Sequence, residues 1–335
     1  MTKHVKTLKQ KKELKRKKNM KPTIHTIYTA CICLLSSMAM VSCGQEETAG
    51  SKETERNNVM QFRIAHPSQQ QAAPASRATE TDFETNDRIG LFVCGENEPL
   101  QVGGNYVNNA SLTYNGTTWT PARPIYWNDG SYDVYAYYPF SSPILSTDEM
   151  EFHVAADQNT AGTADVVGGY EASDFLWASA KKQTASNDAV ALKFKHCMSK
   201  LTVRLIKGED YEGDELPQDA EVFIHNTVPN ATIDLAAGIA TKTLYGTEAT
   251  LKAKAAGNNR YTAIVVPQRI TNRRPLVEVV MKGVSYLMES AFVFKPGMHH
   301  IVSLTITKNP EQVKIEIGGE IENWEETKEE TTEAT

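Results

Sequence analysis

The side chains that could carry acid–base or metal chemistry are scattered through this 335-residue sequence. The adjacent pair His299-His300 follows the turn signal Pro296-Gly297, which favours a solvated or edge position over a metal site. His196 lies in phase with an apolar alternating run, which favours a satisfied core or inter-domain histidine over a catalytic base. The sequence has no GxSxG, HExxH or P-loop motif. The pattern therefore predicts no enzyme, with no catalytic residue, no metal site and no cofactor.

One cysteine points to a different chemistry, the covalent attachment of lipid. Cys43 closes the tetrapeptide MVSC at 40–43, and small residues before a cysteine resemble a bacterial lipobox, in which that cysteine is diacylated. The apolar stretch 24–41 follows Met20 and a lysine, which is the layout of a secretory signal peptide. We therefore expect residues 1–42 to be an over-long start plus a lipoprotein signal peptide. Lipid on Cys43 would anchor the chain to a membrane, and the acidic run after it resembles the surface-export signal of outer-membrane lipoproteins. A plain signal peptide with an incidental cysteine is the alternative.

Removal of the first 42 residues would leave a strongly acidic chain. They hold 10 of the 35 Lys+Arg and 1 of the 41 Asp+Glu, which leaves 25 and 40 and a net charge of about −15. Such a surface repels nucleic acid, so nucleic-acid binding is excluded. Cys94 and Cys197 remain, far apart and without ligand spacing. A disulfide between them stays open, but two separately buried thiols are favoured because each lies in or beside an apolar run.

Short apolar alternating runs separated by turn signals fill the rest of the chain. After a polar segment, 43–58, which we expect to be a flexible tether, Met60, Phe62 and Ile64 alternate with polar neighbours. The dipeptide NG at 115–116 separates two such runs and is a strong hairpin signal. Many short strands with hardly any helical periodicity are typical of β-sandwiches, so the sequence predicts an all-β fold.

The apolar phase changes once in the middle of the chain. Apolar residues are even-numbered over 190–194 and odd-numbered over 201–205. A shift of one residue predicts a bulge or a change of sheet. We place a domain boundary there, between an N-terminal domain at 59–198 and a C-terminal domain at 199–310.

Several segments together resemble the fimbrillins, the subunits of type V pili. The resemblance extends from the lipobox to Trp324, and its specificity comes from the order and spacing of loose motifs. The segments are FETNDRIGLF at 83–92, PIYW at 124–127 with YDVYAYYP at 132–139, DFLWA at 174–178 with LKFKHCMSKL at 192–201, and AIVVPQ at 263–268 with FKPG at 294–297.

The resemblance implies two tandem transthyretin-like β-sandwich domains and export as a lipoprotein to the cell surface. It implies cleavage by a trypsin-like, arginine- or lysine-specific protease in the loop that follows the first strand, which lies at 59–65. This cleavage removes the first strand. The emptied groove is then filled by a strand from a neighbouring pilus subunit. The family also includes anchor and tip subunits.

Arg77 is the predicted cleavage site. It lies in a Gln-rich, Pro-containing loop without apolar periodicity, between the first strand and the strand that follows Phe83. Flexible loops of this kind are where proteases cut. Arg63 and Arg88 are competitors, but both lie in or beside runs that should be paired strands.

The predicted donor strand lies at 311–324. Val313, Ile315 and Ile317 repeat the period-two apolar pattern of the first strand, and Ile321 can continue the same face beyond Gly-Gly. Strand addition of this kind would replace both the apolar side chains and the backbone partners of the removed strand. The alternative is an ordinary last strand within its own domain.

Aromatic residues carry the competing hypothesis. Trp119, Trp127 and Trp177, with the tyrosines of 126–138, could line a glycan platform, but cross-strand core pairs are favoured. A lipid-anchored glycan-binding protein or adhesin, or a pilus anchor or tip subunit, therefore stands as the alternative to a structural pilus subunit, and a secreted hydrolase as a third hypothesis. Residues 325–335, rich in Glu and Thr, are expected to form a disordered tail.

Overall fold

The computed structural model of the protein describes residues 58–67, 82–163, 166–308 and, for the backbone alone, 314–321. These residues form twenty β-strands in five sheets, with a short 3-10 helix at Glu171–Ser173. The predicted all-β fold is confirmed. Among the residues described, no helix is long and apolar enough to cross a membrane.

Nine strands lie before residue 199. Six form one mixed-length antiparallel sheet in the order β4-β3-β2-β5-β7-β9, and the short first strand pairs in parallel with β8. The strands are β1 Phe62–Ala65, β2 Arg88–Gly95, β3 Val107–Tyr114, β4 Trp119–Pro121, β5 Ser131–Tyr138, β6 Met150–His153, β7 Leu176–Thr184, β8 Val190–Lys193 and β9 Lys195–His196.

Eleven strands follow. They form a five-stranded sheet ordered β15-β16-β10-β19-β20 and a four-stranded sheet ordered β14-β11-β17-β18, while β13 and β12 form a third sheet with β6. The strands are β10 Ser199–Lys207, β11 Glu221–Thr227, β12 Asn230–Asp234, β13 Ile239–Lys242, β14 Ala249–Lys252, β15 Lys254–Ala255, β16 Arg260–Val265, β17 Gln268–Met281, β18 Val284–Phe294, β19 His299–Ile306 and β20 Lys314–Ile321.

The change of apolar phase corresponds to a change of sheet. β8, β9 and β10 follow one another closely, yet each belongs to a different sheet, as the phase shift predicts. Four of the five sheets take all their strands from one side of residue 199, whereas the pairing of β6 with β12 joins the two sides. A boundary at 198–199 remains a prediction.

Strand β2 explains how the N-terminal sheet is packed. Successive side chains of a strand point to opposite faces, and β2 buries both of its faces. Leu91 and Val93 join the core cluster that contacts the first strand, whereas Phe92 joins the larger cluster on the other side of the sheet. A larger residue does not fit at Gly90, because a Cβ atom there would lie 2.1 Å from the ring of Tyr137.

The hairpin signal is also confirmed. Asn115 N donates to Thr118 O at 3.1 Å, and Asn115 Oδ1 accepts from the amides of Thr117 and Thr118 at 2.9 and 2.8 Å. Gly116 has φ +94°, a conformation that side chains with a Cβ rarely adopt. The turn therefore sets the register of β3 against β4.

Candidate functional site

The first strand and the residues around it form the candidate assembly site. The backbone of this segment is held on two sides. Near its start, Met60 N donates to Ile125 O and Trp127 N donates to Asn58 O, both at 2.7 Å. Further along, β1 runs parallel to β8, and Val190 N donates to Gln61 O at 2.8 Å. The segment thus fills a gap between residues 125–127 and β8.

The side chains of this segment alternate as the sequence predicts. Met60 is 2 % exposed, Phe62 and Ile64 are half-buried, and Gln61 and Arg63 are exposed. The three apolar side chains pack against one core cluster, which also holds residues of β2, β5, β7 and β8. These three side chains therefore share one inward-facing apolar surface, and their role as a removable first strand stays a prediction.

An open groove of about 640 Å³ lies beside the first strand. Its other wall is formed by β4 and the turn before it, with Phe83, Tyr114 and Trp119. The rings of Phe83 and Trp119 meet edge to face at 5.0 Å, and those of Tyr114 and Trp119 stack at 5.1 Å. The apolar surface on which the strand lies is thus partly open along its length.

His66 closes the buried side of the segment. Its ring is buried and meets Phe83 edge to face at 5.0 Å and His196 at 6.0 Å. Burial, and next the neighbouring His196, lower the pKa of His66 from 6.5 to about 4. His196 in turn places Nδ1 2.9 Å from a carboxylate oxygen of Asp174. The expected role of His196 as a satisfied histidine is therefore confirmed.

A second cleft, of about 420 Å³, begins at His66. Carboxylates line it, among them those of Asp82, Glu171 and Asp174. Burial raises the pKa of Asp87 at its rim, where that carboxylate accepts a hydrogen bond from Tyr138 Oη at 3.2 Å.

The two competitor arginines lie in paired strands, as expected. Arg63 is in register with Ala191 in β8, and Arg88 is in register with Thr113 in β3. Arg77, the predicted cleavage site, and Cys43, the predicted lipidation site, lie outside the described residues. Both roles stay predictions.

The backbone of the last strand pairs with its own chain. β20 runs antiparallel to β19 at the edge of the five-stranded sheet, with Ile315 opposite Leu304 and Ile317 opposite Val302. A register shift follows, and Ile321 lies opposite His299. Since that shift interrupts the period of two after Ile317, Ile321 does not continue the same register phase in this pairing. Val313 lies outside the described residues. The donor role of the four predicted residues, Val313, Ile315, Ile317 and Ile321, stays a prediction.

The remaining candidates for chemistry are buried. Cys94 and Cys197 are separate, buried free thiols, and burial raises the pKa of Cys197 to about 12. A solvated or edge position for His299 and His300 was wrong, because both are buried and β19 lies between β10 and β20. His299 Nε2 lies 2.8 Å from Thr202 Oγ1. Over the part of the chain that is described, no group of acidic, histidine or cysteine side chains could hold a metal ion.

The three tryptophans in the described residues belong mainly to the core, as favoured. Trp127 and Trp177 are buried, and Trp177 Nε1 donates to Leu235 O at 2.7 Å. Trp119 is half-buried against the same cluster as the first strand. Tyr126 is the exception, being 52 % exposed.

One residue of the site was missed from the sequence. His66 continues the spacing of Met60, Phe62 and Ile64 by two residues, so the alternation itself could have identified it as inward-facing. Because a proline follows His66, the predicted apolar run ended at residue 65 and left His66 out.

The family model described as fimbrillin-like matches residues 76–324, and the chain belongs to this family. The family is one of structural fimbrial proteins. Membership supports a role as a pilus subunit at the cell surface, associated with other pilus subunits. Among curated proteins, none matches this chain.

Solved structures of other proteins match the chain, among them two candidate cell adhesion proteins. A candidate cell adhesion protein from Bacteroides ovatus is 18% identical, with a TM-score of 0.60 over 78% of this chain and 95% of the other. A second candidate cell adhesion protein, from Bacteroides uniformis, is 20% identical, with a TM-score of 0.55 over 70% of this chain and 91% of the other. At these identities the likeness concerns the fold.

Proposed function

We propose that the chain is a structural pilus subunit that polymerises by donor-strand exchange. The observation that carries the proposal is the first strand itself. It pairs with one short strand, packs an apolar face into the N-terminal core and is followed by the segment that holds Arg77. It can therefore leave without opening the six-stranded sheet, in which it takes no part.

Loss of the first strand would leave a defined vacancy. Met60, Phe62 and Ile64 would contribute roughly 5–9 kcal/mol if fully buried, at about 1.5–3 kcal/mol each. The half-burial of Phe62 and Ile64 puts the value toward the lower end. The backbone groups that Gln61 and Met60 satisfy, at Val190 N and Ile125 O, would also lose their partners. An added strand restores both contributions at once.

The donor in this proposal is the C-terminal segment of a neighbouring subunit. Val313, Ile315 and Ile317 match the spacing of the lost side chains, and Ile321 lies beyond two glycines. β20 lies at a sheet edge in its own chain, so its release leaves four strands of that sheet in place. We further propose that the subunit consists of two tandem transthyretin-like domains that meet at 198–199.

Maturation in this proposal is cleavage after Arg77. Surface-shed protein should begin at Ala78 by N-terminal sequencing, and Arg77→Ala should leave the first strand attached. Arg63→Ala is the matched control, since Arg63 is exposed but lies in a paired strand. A mature start elsewhere in the wild-type chain would refute the assignment.

Export in this proposal is as a lipoprotein anchored in the outer membrane through Cys43. Cys43→Ala should abolish the incorporation of a labelled fatty acid, because no thiol remains at the lipobox position. Cys33→Ala, which lies in the predicted signal peptide, is the control and should keep the label. Unchanged labelling of Cys43→Ala would overturn the anchor.

A further inference from the structure

The groove of about 640 Å³ beside the first strand lies between two strand edges, those of β1 and β4. Among the residues described, β1 pairs with β8 alone, and β4 ends the six-stranded sheet, where it pairs with β3 alone. At its start the first strand is joined to residues 125–127 by the hydrogen bonds of Met60 N and Trp127 N. Beyond that point no strand lies between β1 and β4, and the groove opens.

The backbone of β1 presents hydrogen-bonding groups to this groove. Gln61 O and Ala65 O accept hydrogen bonds from the β8 side, at 2.8 and 3.0 Å, whereas Met60 N donates to the other side. Successive residues of a strand direct their N–H and C=O groups to alternate edges. The N–H and C=O groups of Phe62 and Ile64 therefore face away from β8 and toward the groove.

β4 presents backbone groups from the opposite wall. Asn115 N donates to Thr118 O across the β3–β4 hairpin, and the next pair along the ladder is Tyr114 opposite Trp119. Hydrogen-bonded and non-hydrogen-bonded pairs alternate in an antiparallel ladder. Trp119 therefore directs its N–H and C=O groups away from β3, toward the groove that it lines.

The floor between these two edges is apolar. Phe83 is buried there, and its ring contacts that of Trp119, which stacks on Tyr114. Strand edges that lack a partner are the places where another chain adds a strand. An extended segment with an apolar side chain at every second residue would cover the rings and pair with both walls at once. The groove therefore fits a strand of this kind.

The C-terminal segment of a second copy of the chain has the matching pattern. Val313, Ile315 and Ile317 recur at every second residue, and β20 is the edge strand of its own sheet. Glu316 alternates with the isoleucines and would point to the outer side of the groove. Arg63 of β1 is exposed on that side. Opposite charges on neighbouring strands stabilise their pairing.

We propose that the groove between β1 and β4 is an entry site, at which the C-terminal segment of a second copy binds while the first strand is still in place. The entering strand pairs with β4 on one side and with β1 on the other. Once the first strand is cut free, the bound segment already lies beside the vacancy. The identity of the entering segment rests on the proposed function, whereas the two backbone edges do not.

Amide hydrogen exchange of the full-length chain, with and without a synthetic peptide of residues 311–324, tests the entry site. The chain produced without the maturation protease keeps its first strand. Saturating peptide should slow exchange at the amides of Phe62, Ile64 and Trp119 by about tenfold or more, because strand pairing protects them. The amide of Arg63 faces β8 and is the internal control, whose exchange rate should not change.

Two variant peptides test what the groove recognises. The peptide with Ile315→Asp should give no protection, because it places a charge on the apolar floor. The peptide with Glu316→Gln is the matched control. It should keep the protection, because an exposed ion pair contributes little to binding.

Three results would overturn the entry site. One is faster exchange at Arg63 on addition of the peptide, which would mean that the peptide displaces the first strand directly and would support strand exchange without an entry step. Another is unchanged exchange at the three groove amides. The third is equal protection by the Ile315→Asp peptide. The proposed function is decided separately, by whether exported chains that carry Ile315→Asp still form SDS-resistant multimers.

Discussion

The first and last strands are held in different ways. β1 has four residues, runs parallel to β8 and carries a fully buried methionine just ahead of it. β20 has eight residues, runs antiparallel to β19 and contains a register shift near its end. The first strand thus packs its side chains into a core, and the backbone of the last strand forms a longer ladder at a sheet edge. Both can leave without breaking a central strand.

Truncation of Met60, just ahead of β1, should have the largest effect on the free energy of unfolding in this comparison. Met60→Ala should lower the free energy of unfolding by about 2–5 kcal/mol, because it leaves a cavity in the core of the N-terminal sheet. Urea denaturation of the full-length chain measures this. Arg63→Ala, next to it on the exposed face, should stay within about 0.5 kcal/mol. Equal midpoints for the two variants would show that the first strand is not held by its apolar face.

Acid should weaken the first strand through His66. The pKa of His66 falls from 6.5 to about 4 on folding, so the unfolded chain binds more protons between these values. The stabilisation is fully present above about pH 6.5 and declines as the pH falls toward 4, by about 3 kcal/mol in all. His66→Phe, which cannot be protonated, should reduce this slope of unfolding free energy against pH.

The control for this titration is Gln61→Ala, since Gln61 is exposed beside the first strand and carries no titratable group, so the slope should stay as it is. Part of the slope should survive in His66→Phe, because His299 is also buried neutral. A slope in His66→Phe that equals the wild-type slope would exclude His66 as its source.

Local patterns predicted much of this molecule. The alternation at 60–64, the hairpin at 115–116 and the change of sheet near 197 are each encoded by neighbouring residues, through side-chain period or turn chemistry. Pairing between distant strands is not encoded in that way. The sequence of β6 therefore did not indicate that this strand pairs with β12 across the predicted boundary.

Two other features of the C-terminal half were not predicted by the sequence patterns, for related reasons. The polar stretch Thr271–Arg274 lies inside the 14-residue strand β17, where register shifts accommodate it against β18. The pair His299-His300 looked solvated because a turn precedes it, but β19 is enclosed by two other strands and both rings are buried. In each case distant partners decide the environment, and period and turn signals do not report them.

Donor-strand exchange is tested most directly by Ile315→Asp in the full-length chain. The substitution places a charge where the proposed donor strand needs an apolar side chain. Ile239→Asp is the matched control, because Ile239 is 52 % exposed on β13, far from either terminal strand in the sheet order. On an unboiled gel of surface-shed protein, SDS-resistant multimers should form from the wild-type chain and Ile239→Asp and be absent from Ile315→Asp, which should still be exported. Persistence of the multimers in exported Ile315→Asp would contradict the donor role of this segment.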